Sequence, residues 1–203
     1  MKLSHIIIKV DNLEKAVKEW TEKGFVVEYG KSKNPYNALI YFKDGPYVEL
    51  FERCGIPRFL KKIMRLFGKK AFIDRMDYWD NHEEGLIGLE IETYEKTLDK
   101  EIEMLNDYNE KFFKIDAKRL DTKNRELEFT CVFPDNLKIP PFMTYFSVDP
   151  KPKEHIHSNN IKGVKSISFG TDESLIPLIN KLCNDNRLKL FVGDGVRDLE
   201  WLE

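Results

Sequence analysis

One order of elements, β-α-β-β-β, is written twice along this chain, and the repetition limits the fold more than any other feature of its 203 residues. In the first copy the run LSHIIIKV (3–10) is apolar on both sides of a strand. Ile6, Ile8 and Val10 share one face, while His5, Ile7 and Lys9 share the other. Asp11 or Asn12 supplies an N-cap for a helix striped by Leu13, Ala16, Val17 and Trp20, and Gly24 ends it. Strands are expected at 25–29, 38–42 and 47–51, the last two joined by a hairpin turn at KDG (43–45). The second copy begins with a strand at 86–92 that sets Ile87, Leu89 and Ile91 on one face. A helix over 94–109, striped by Leu98, Ile102 and Leu105, and strands at 112–117, 126–133 and 142–146 complete it.

These units divide the chain into a first module (1–52), an insertion (53–83), a second module (84–148), a polar connection (149–161) and a shortened third βαββ unit (162–203). The fold class that follows is α+β. Tandem βαβββ modules curve one mixed sheet around a ligand cavity, helices cover the outer face, and everything belongs to one compact domain.

Charge and composition remove several functions. Thirty-three basic against 35 acidic residues leave a net charge of -2, without the electrostatic footprint of a nucleic-acid binder. Cys54, Cys131 and Cys183 are widely spaced and form no CxxC pair, which argues against a zinc ribbon or a disulfide framework. The first residues lack the apolar core of a secretory leader and no stretch has the length of a membrane span, so a cytoplasmic protein is expected. No GxSxG, GxxxxGK[ST] or strand-then-helix GxGxxG occurs.

The segments LSHIIIKVDNLEKAVKEWTEKGF, NALIYF and DGPYVELFE resemble the opening module of the vicinal-oxygen-chelate superfamily, and more closely its glyoxalase-like domains. AKRLDTKNRELEFTCVF, PFMTYF and HSNNIKGV extend the likeness into the second half. The resemblance implies paired βαβββ modules around a small-molecule site. It leaves the reaction open, because the superfamily holds lyases, isomerases, dioxygenases, thiol transferases and non-catalytic drug-binding proteins. Relatives that catalyse hold a divalent metal through residues of the first and last strands of each module. His5 and Glu49 stand at those positions in the first module, whereas Gly88 and Thr144 or Tyr145 stand there in the second. The ligand set for Zn, Mn, Ni or Fe is therefore incomplete, and no cofactor is expected. Glu90 lies on the face of Gly88, and His82, His155 and His157 are loop histidines that could fold inward. The likeness also places Arg119 where an arginine precedes a turn, as a clamp for a carboxylate.

Without a metal, His5 and Glu49 read as a hydrogen-bonded pair in a cavity wall, or as an acid–base pair in which the carboxylate raises the imidazole pKa towards neutrality. Asn37 shares a face with Leu39 and Tyr41 and could hold a substrate carbonyl, or simply enter its strand after Pro35. Tyr47 accompanies Glu49, and Tyr145 offers a hydroxyl. In the insertion, RFLKKIMRLFGKK forms a helix over 58–70 with an apolar stripe (Phe59, Leu60, Ile63, Met64, Phe67) opposite a basic one. The expected role is a cover over a sheet edge or the cavity mouth, with its cations solvated, in preference to a membrane contact.

The leading expectation is a glyoxalase-like protein that binds a small organic ligand through His5, Glu49, Asn37, Tyr47, Glu90, Arg119 and Tyr145, with catalysis open and a homodimer compatible with the likeness. The alternatives are a metal-dependent lyase or isomerase acting on a small oxygenated carbonyl compound and a membrane-surface or protein-interaction module working through the 58–70 helix.

Overall fold

A computed structural model describes residues 1–152 and 156–203, which leaves His155 outside the described residues. The first module folds as β1 (Lys2–Lys9), α1 (Leu13–Glu22), β2 (Glu28–Tyr29), β3 (Asn37–Ile40) and β4 (Tyr47–Phe51). The Asn12 side chain caps α1 by accepting the Lys15 amide hydrogen at 2.8 Å. Gly24, at φ 88°, closes it: its amide bonds to the Thr21 carbonyl and the Phe25 amide to that of Trp20, the paired bonds of a Schellman end. The second module is β5 (Gly85–Thr93), α4 (Asp99–Asp107), β6 (Phe112–Leu120), β7 (Glu126–Pro134) and β8 (Phe142–Thr144).

Both modules join one strongly curled eight-stranded sheet in the order β2-β3-β4-β1-β5-β8-β7-β6. Within each, the first strand runs parallel to the last, β1 with β4 and β5 with β8. The antiparallel β1–β5 pair joins the modules at the centre of the sheet. That register sets His5 opposite Glu90 on one side and opposite Tyr47 on the other, with Ile7 between Gly88 and Glu49. A one-residue slip would reverse every one of these side chains and turn His5 towards the helices.

The main core lies on the outer face. Leu3, Ile6, Val10, Leu89 and Ile91 of the central strands pack there with Leu13 and Ala16 of α1 and with Leu98 and Leu105 beside and within α4. The third unit, β9 (Gly163–Thr171), α5 (Ile176–Leu182), β10 (Leu188–Val192) and β11 (Val196–Leu202), closes the same layer, and Trp201 meets Trp20, Phe25 and Phe42. Its order of elements is βαββ, but its pairing β10-β9-β11 puts the strand after the helix beside the first strand, and not at the far edge as in the other two modules.

Two expectations are corrected here. The β1–β5 ladder has a register irregularity between the pairs of Ile7 and Ile8. Past it Ile87 no longer sides with Leu89 and Ile91 but joins Ile7 on the inner face. The insertion forms two helices where one was expected, α2 (Arg58–Leu66) and α3 (Lys70–Asn81). Gly68, at φ 75°, breaks them apart, with its amide on the Arg65 carbonyl and that of Lys69 on the Met64 carbonyl.

α3 does what α2 was expected to do. Phe72, Ile73, Met76 and Trp79 bury against Ile7, Phe51 and Ile87, so this helix fills part of the inner face of the sheet. α2 lies outside it and turns two of its cations inward. Lys61 reaches Asp77 at 2.7 Å and Asp80 at 2.6 Å, and Arg65 bridges Asp74 and Asp77. Met64 packs against the α3 cluster, while the rest of the apolar side of α2 faces solvent, with no residue of the helix fully buried.

Candidate functional site

On the inner face, where β4, β1 and β5 run side by side, His5 gathers polar groups around it. Its Nε2 stands 3.3 Å from Glu49 and 4.0 Å from Glu90, and its ring stacks on Tyr47 with centroids 4.7 Å apart. Its Nδ1 meets the Ser4 hydroxyl at 3.1 Å, and that hydroxyl donates to Glu92 at 2.6 Å. A ladder irregularity between Leu3 and His5 lets adjacent residues meet in this way. On the far side the Asn37 amide donates to Glu49 at 2.7 Å. A polar chain Asn37–Glu49–His5–Ser4–Glu92 thus crosses the sheet, with Glu90 beside its centre.

The protons in this chain can be assigned. Since Ser4 donates its hydrogen to Glu92, His5 Nδ1 must be the donor to Ser4, and Nε2 presents a lone pair to Glu49 and Glu90. That tautomer needs a protonated carboxyl, and burial provides one. Glu90 is pushed up to about 8, first by desolvation and then by the neighbouring Glu49. Burial raises Glu49 too, against the pull of the Asn37 amide and the Arg119 charge. His5 is pushed down to about 3 by burial, with the Arg119 guanidinium adding to the effect. The expected rise of the imidazole pKa towards neutrality is therefore reversed, because burial disfavours the imidazolium more than the neighbouring carboxyls favour it. His5 is only 5% exposed.

The opening lies at the Asn37 end. A cavity of about 500 Å³ runs between the modules, lined by Gly30, Lys31, Lys33, Tyr36, Asn37 and Arg119 among others. Arg119, near the end of β6, donates to the Gly30 carbonyl at 2.7 Å and lies over the Phe146 ring. Among the described residues no carboxylate comes within ion-pair distance of it. Asp121 also lines the cavity, but its carboxylate is taken up by the Arg125 side chain and by the Lys123 and Arg125 amides. Lys31, Lys33 and Arg119 therefore leave the cavity electropositive. His5, Glu49 and Glu90 do not line it, and Asn37 stands between.

The residues do not fit a divalent metal. No group of three His, Cys, Asp or Glu side chains among the described residues is arranged to hold an ion. At the two remaining ligand positions of the second module, Gly88 faces Trp79, whose indole nitrogen a Cβ there would meet at 3.3 Å, and the Thr144 hydroxyl accepts the Thr130 amide.

Of the residues expected from the sequence, His5, Glu49, Asn37, Tyr47 and Glu90 come together, and Arg119 stands at the cavity beside them. Tyr145 does not join them: its ring stacks on Tyr94 and its hydroxyl donates to Asp149 at 2.7 Å. His82 stays at the end of α3, against Tyr78 and the Glu83 carbonyl. His157 is buried, accepting the Val26 amide at Nδ1 and meeting the Tyr41 carbonyl at Nε2, so it ties its loop to the first module. Ser4, Glu92, Arg75 and Trp79 were not anticipated. Glu90 and Glu92 alternating through GLIGLEIET were a readable signal, since acids at period 2 in an apolar strand imply a polar inner surface. Arg75 on α3 gave none. It is buried beside Glu90, with Nη2 on the Pro134, Asn136 and Ile139 carbonyls, and burial lowers it to about 10.

The sequence profile of the glyoxalase-like domain matches residues 3–177. The chain belongs to the glyoxalase-like domain family. A hypothetical protein from Staphylococcus aureus is similar in structure with a TM-score of 0.64 and 14% identity, covering 97% of this chain and 88% of that one. Streptomyces coelicolor methylmalonyl-CoA epimerase, bound to 2-nitronate-propionyl-CoA, is similar at a TM-score of 0.43 and 14% identity, over 71% of this glyoxalase-like chain and 97% of its own. These likenesses concern the fold and say nothing of the chemistry. No curated protein matches the chain.

Proposed function

We propose that this glyoxalase-like protein binds a small organic acid in the cavity between its modules, with Arg119 as the carboxylate clamp and Asn37 as the second polar contact. One observation carries the reading: the half-buried Arg119 guanidinium, which bonds the Gly30 carbonyl, interacts with the Tyr41 hydroxyl and meets no carboxylate among the described residues, stands in a cavity of about 500 Å³ whose free charges are positive. A guanidinium with unspent donors in a partly desolvated wall favours a planar oxyanion that can take two of them at once. Tyr36 and Leu120 supply apolar wall for the rest of such a ligand.

The polar chain behind the cavity supports binding over catalysis. A general base works best with a pKa near the working pH, and an imidazole near 3 that is closed off from the cavity is a poor proton acceptor. His5, Glu49 and Glu90 instead hold the Asn37 amide in place. The metal-dependent lyase or isomerase reading has no such support.

Thermal unfolding in the presence of small carboxylic acids, each paired with its neutral amide, tests this. At about 100 times its Kd a ligand adds about 2.7 kcal/mol, which for a chain of this size raises Tm by roughly 5–10 °C. The acids should produce this rise, their amides should not, and Arg119→Gln should remove it. If no acid is stabilising, or if the rise survives in R119Q, the assignment is wrong.

A further inference from the structure

α2 sits on the protein with its sides reversed from the usual arrangement, in which a surface helix buries its apolar stripe and leaves its charges in water. Lys61 and Arg65, held by Asp74, Asp77 and Asp80 of α3, and Met64, against the apolar cluster of α3, are the residues spent on the protein. The opposite side presents Phe59, Leu60, Ile63, Leu66 and Phe67, with Leu66 85%, Phe67 77% and Phe59 67% exposed. At 100° per residue these fall within one contiguous arc, so they form a single patch. The ion pairs on the inner side fix the rotation of the helix, and a rotation that buried the phenylalanines would break them.

We propose that this face docks on the surface of an anionic lipid bilayer, with the apolar residues entering the headgroup boundary and the flanking cations meeting lipid phosphate. The charge pattern decides the occupant. No Asp or Glu occurs from residue 53 to residue 73, whereas the chain as a whole carries a net charge of -2. Lys62, exposed, borders the apolar arc on one side, and Arg58 is exposed at the start of the helix; Lys69, over the Phe113 ring, and Lys70, paired with Asp74, follow it. An apolar arc bordered by cations and free of acids matches a negatively charged interface. It matches a second copy of the chain poorly, because two-fold contact through this face would bring two stretches together that carry cations and no acid to answer them. Among the described residues no helix is long and apolar enough to cross a membrane, so the contact lies in the plane of the interface. The proposal does not depend on the organic-acid reading, since α2 contributes no residue to that cavity.

Co-sedimentation of the full chain with vesicles of mixed phosphatidylglycerol and phosphatidylcholine, and with vesicles of phosphatidylcholine alone, tests it. The wild-type chain should partition at least roughly tenfold more strongly onto the anionic vesicles, at about 1 kcal/mol per exposed cation, and added salt should weaken the binding. Phe59→Ser with Leu66→Ser should remove it, and Lys62→Glu should lower it several-fold. These side chains are exposed, so the thermal midpoint should hold in both variants. The proposal is overturned if the wild-type chain stays in the supernatant, if it binds both vesicle types equally, or if F59S/L66S binds as the wild type does. A wild-type dimer in sedimentation velocity that becomes a monomer in F59S/L66S would overturn it as well and assign the face to self-association.

Discussion

Replacing Glu90 by Gln exchanges a buried acid that titrates for an amide of the same shape that does not. Glu90 moves from an ordinary 4.5 to about 8 in the folded chain. Between those values the folded state keeps a proton that the unfolded state has released, so raising the pH draws the equilibrium towards unfolding. The stability tied to protonated Glu90 is full below about pH 4.5 and is lost as the pH rises to about 8. Each tenfold difference in proton affinity is worth 1.36 kcal/mol, which makes the whole window worth roughly 5 kcal/mol. His5 acts in the opposite sense, because its folded value is lowered from 6.5 to about 3, and it costs stability as the pH falls through that range. From 4.5 to 6.5 the two slopes cancel, and above 6.5 only the loss from Glu90 remains, roughly 2 kcal/mol by pH 8. Burial also raises Glu49 and Glu92, so each adds a loss of the same sign as the pH rises through its own folded value. Urea unfolding followed by tryptophan fluorescence at about pH 6.5 and about pH 8.5 reads the difference directly. With m near 2 kcal/mol/M, the wild-type midpoint should fall by about 1 M or more, and that of E90Q by roughly 1 M less. The comparison is between slopes, so any uniform effect of the substitution drops out. Parallel midpoint curves for the two proteins would show that Glu90 ionises like an exposed acid, and the proton assignment around His5 would fail with it.

Two further outcomes are expected. Trp79→Ala should cost about 3–5 kcal/mol in urea unfolding, because the indole fills the space above Gly88 and meets the edge of Phe51; a loss below about 1 kcal/mol would mean that α3 does not hold the inner face. Protein purified without chelator should carry Zn, Mn, Ni or Fe well below one equivalent by elemental analysis, unchanged in His5→Ala. Stoichiometric metal that disappears in H5A would establish a metal centre at this cluster.

Much of the inner surface was legible because strands obey a strict period of two. Once the Ile6, Ile8 and Val10 side of β1 is given to the helices, His5 must point the other way, and the same reasoning carries Glu49, Tyr47 and Asn37 inward. Glu90 follows from its place opposite His5. The residues that went astray are those where the period is interrupted or does not apply. Ile87 lies past a ladder irregularity, and Tyr145 follows the last residue of β8, where the alternation stops. RFLKKIMRLFGKK reads as an amphipathic helix in any setting, and its pattern alone does not say which side meets the protein. The acids that turned it over lie on the next helix, at Asp74, Asp77 and Asp80, and their effect depends on how α2 and α3 fold back on one another at Gly68.

The duplicated order of elements, the curled mixed sheet and the inward set of polar side chains were all present in the linear chain, because hydrophobic periodicity and turn residues act over a few positions at a time. The ionisation state of those side chains was not. A histidine beside two glutamates reads as a charged pair until α3 and the second module shut out water, after which neutral forms cost less than buried ions. Burial belongs to no single residue; it exists only when distant segments close over the same place, and that is why His5 is a neutral link in a hydrogen-bonded wall and Arg119 is the charge left facing the cavity.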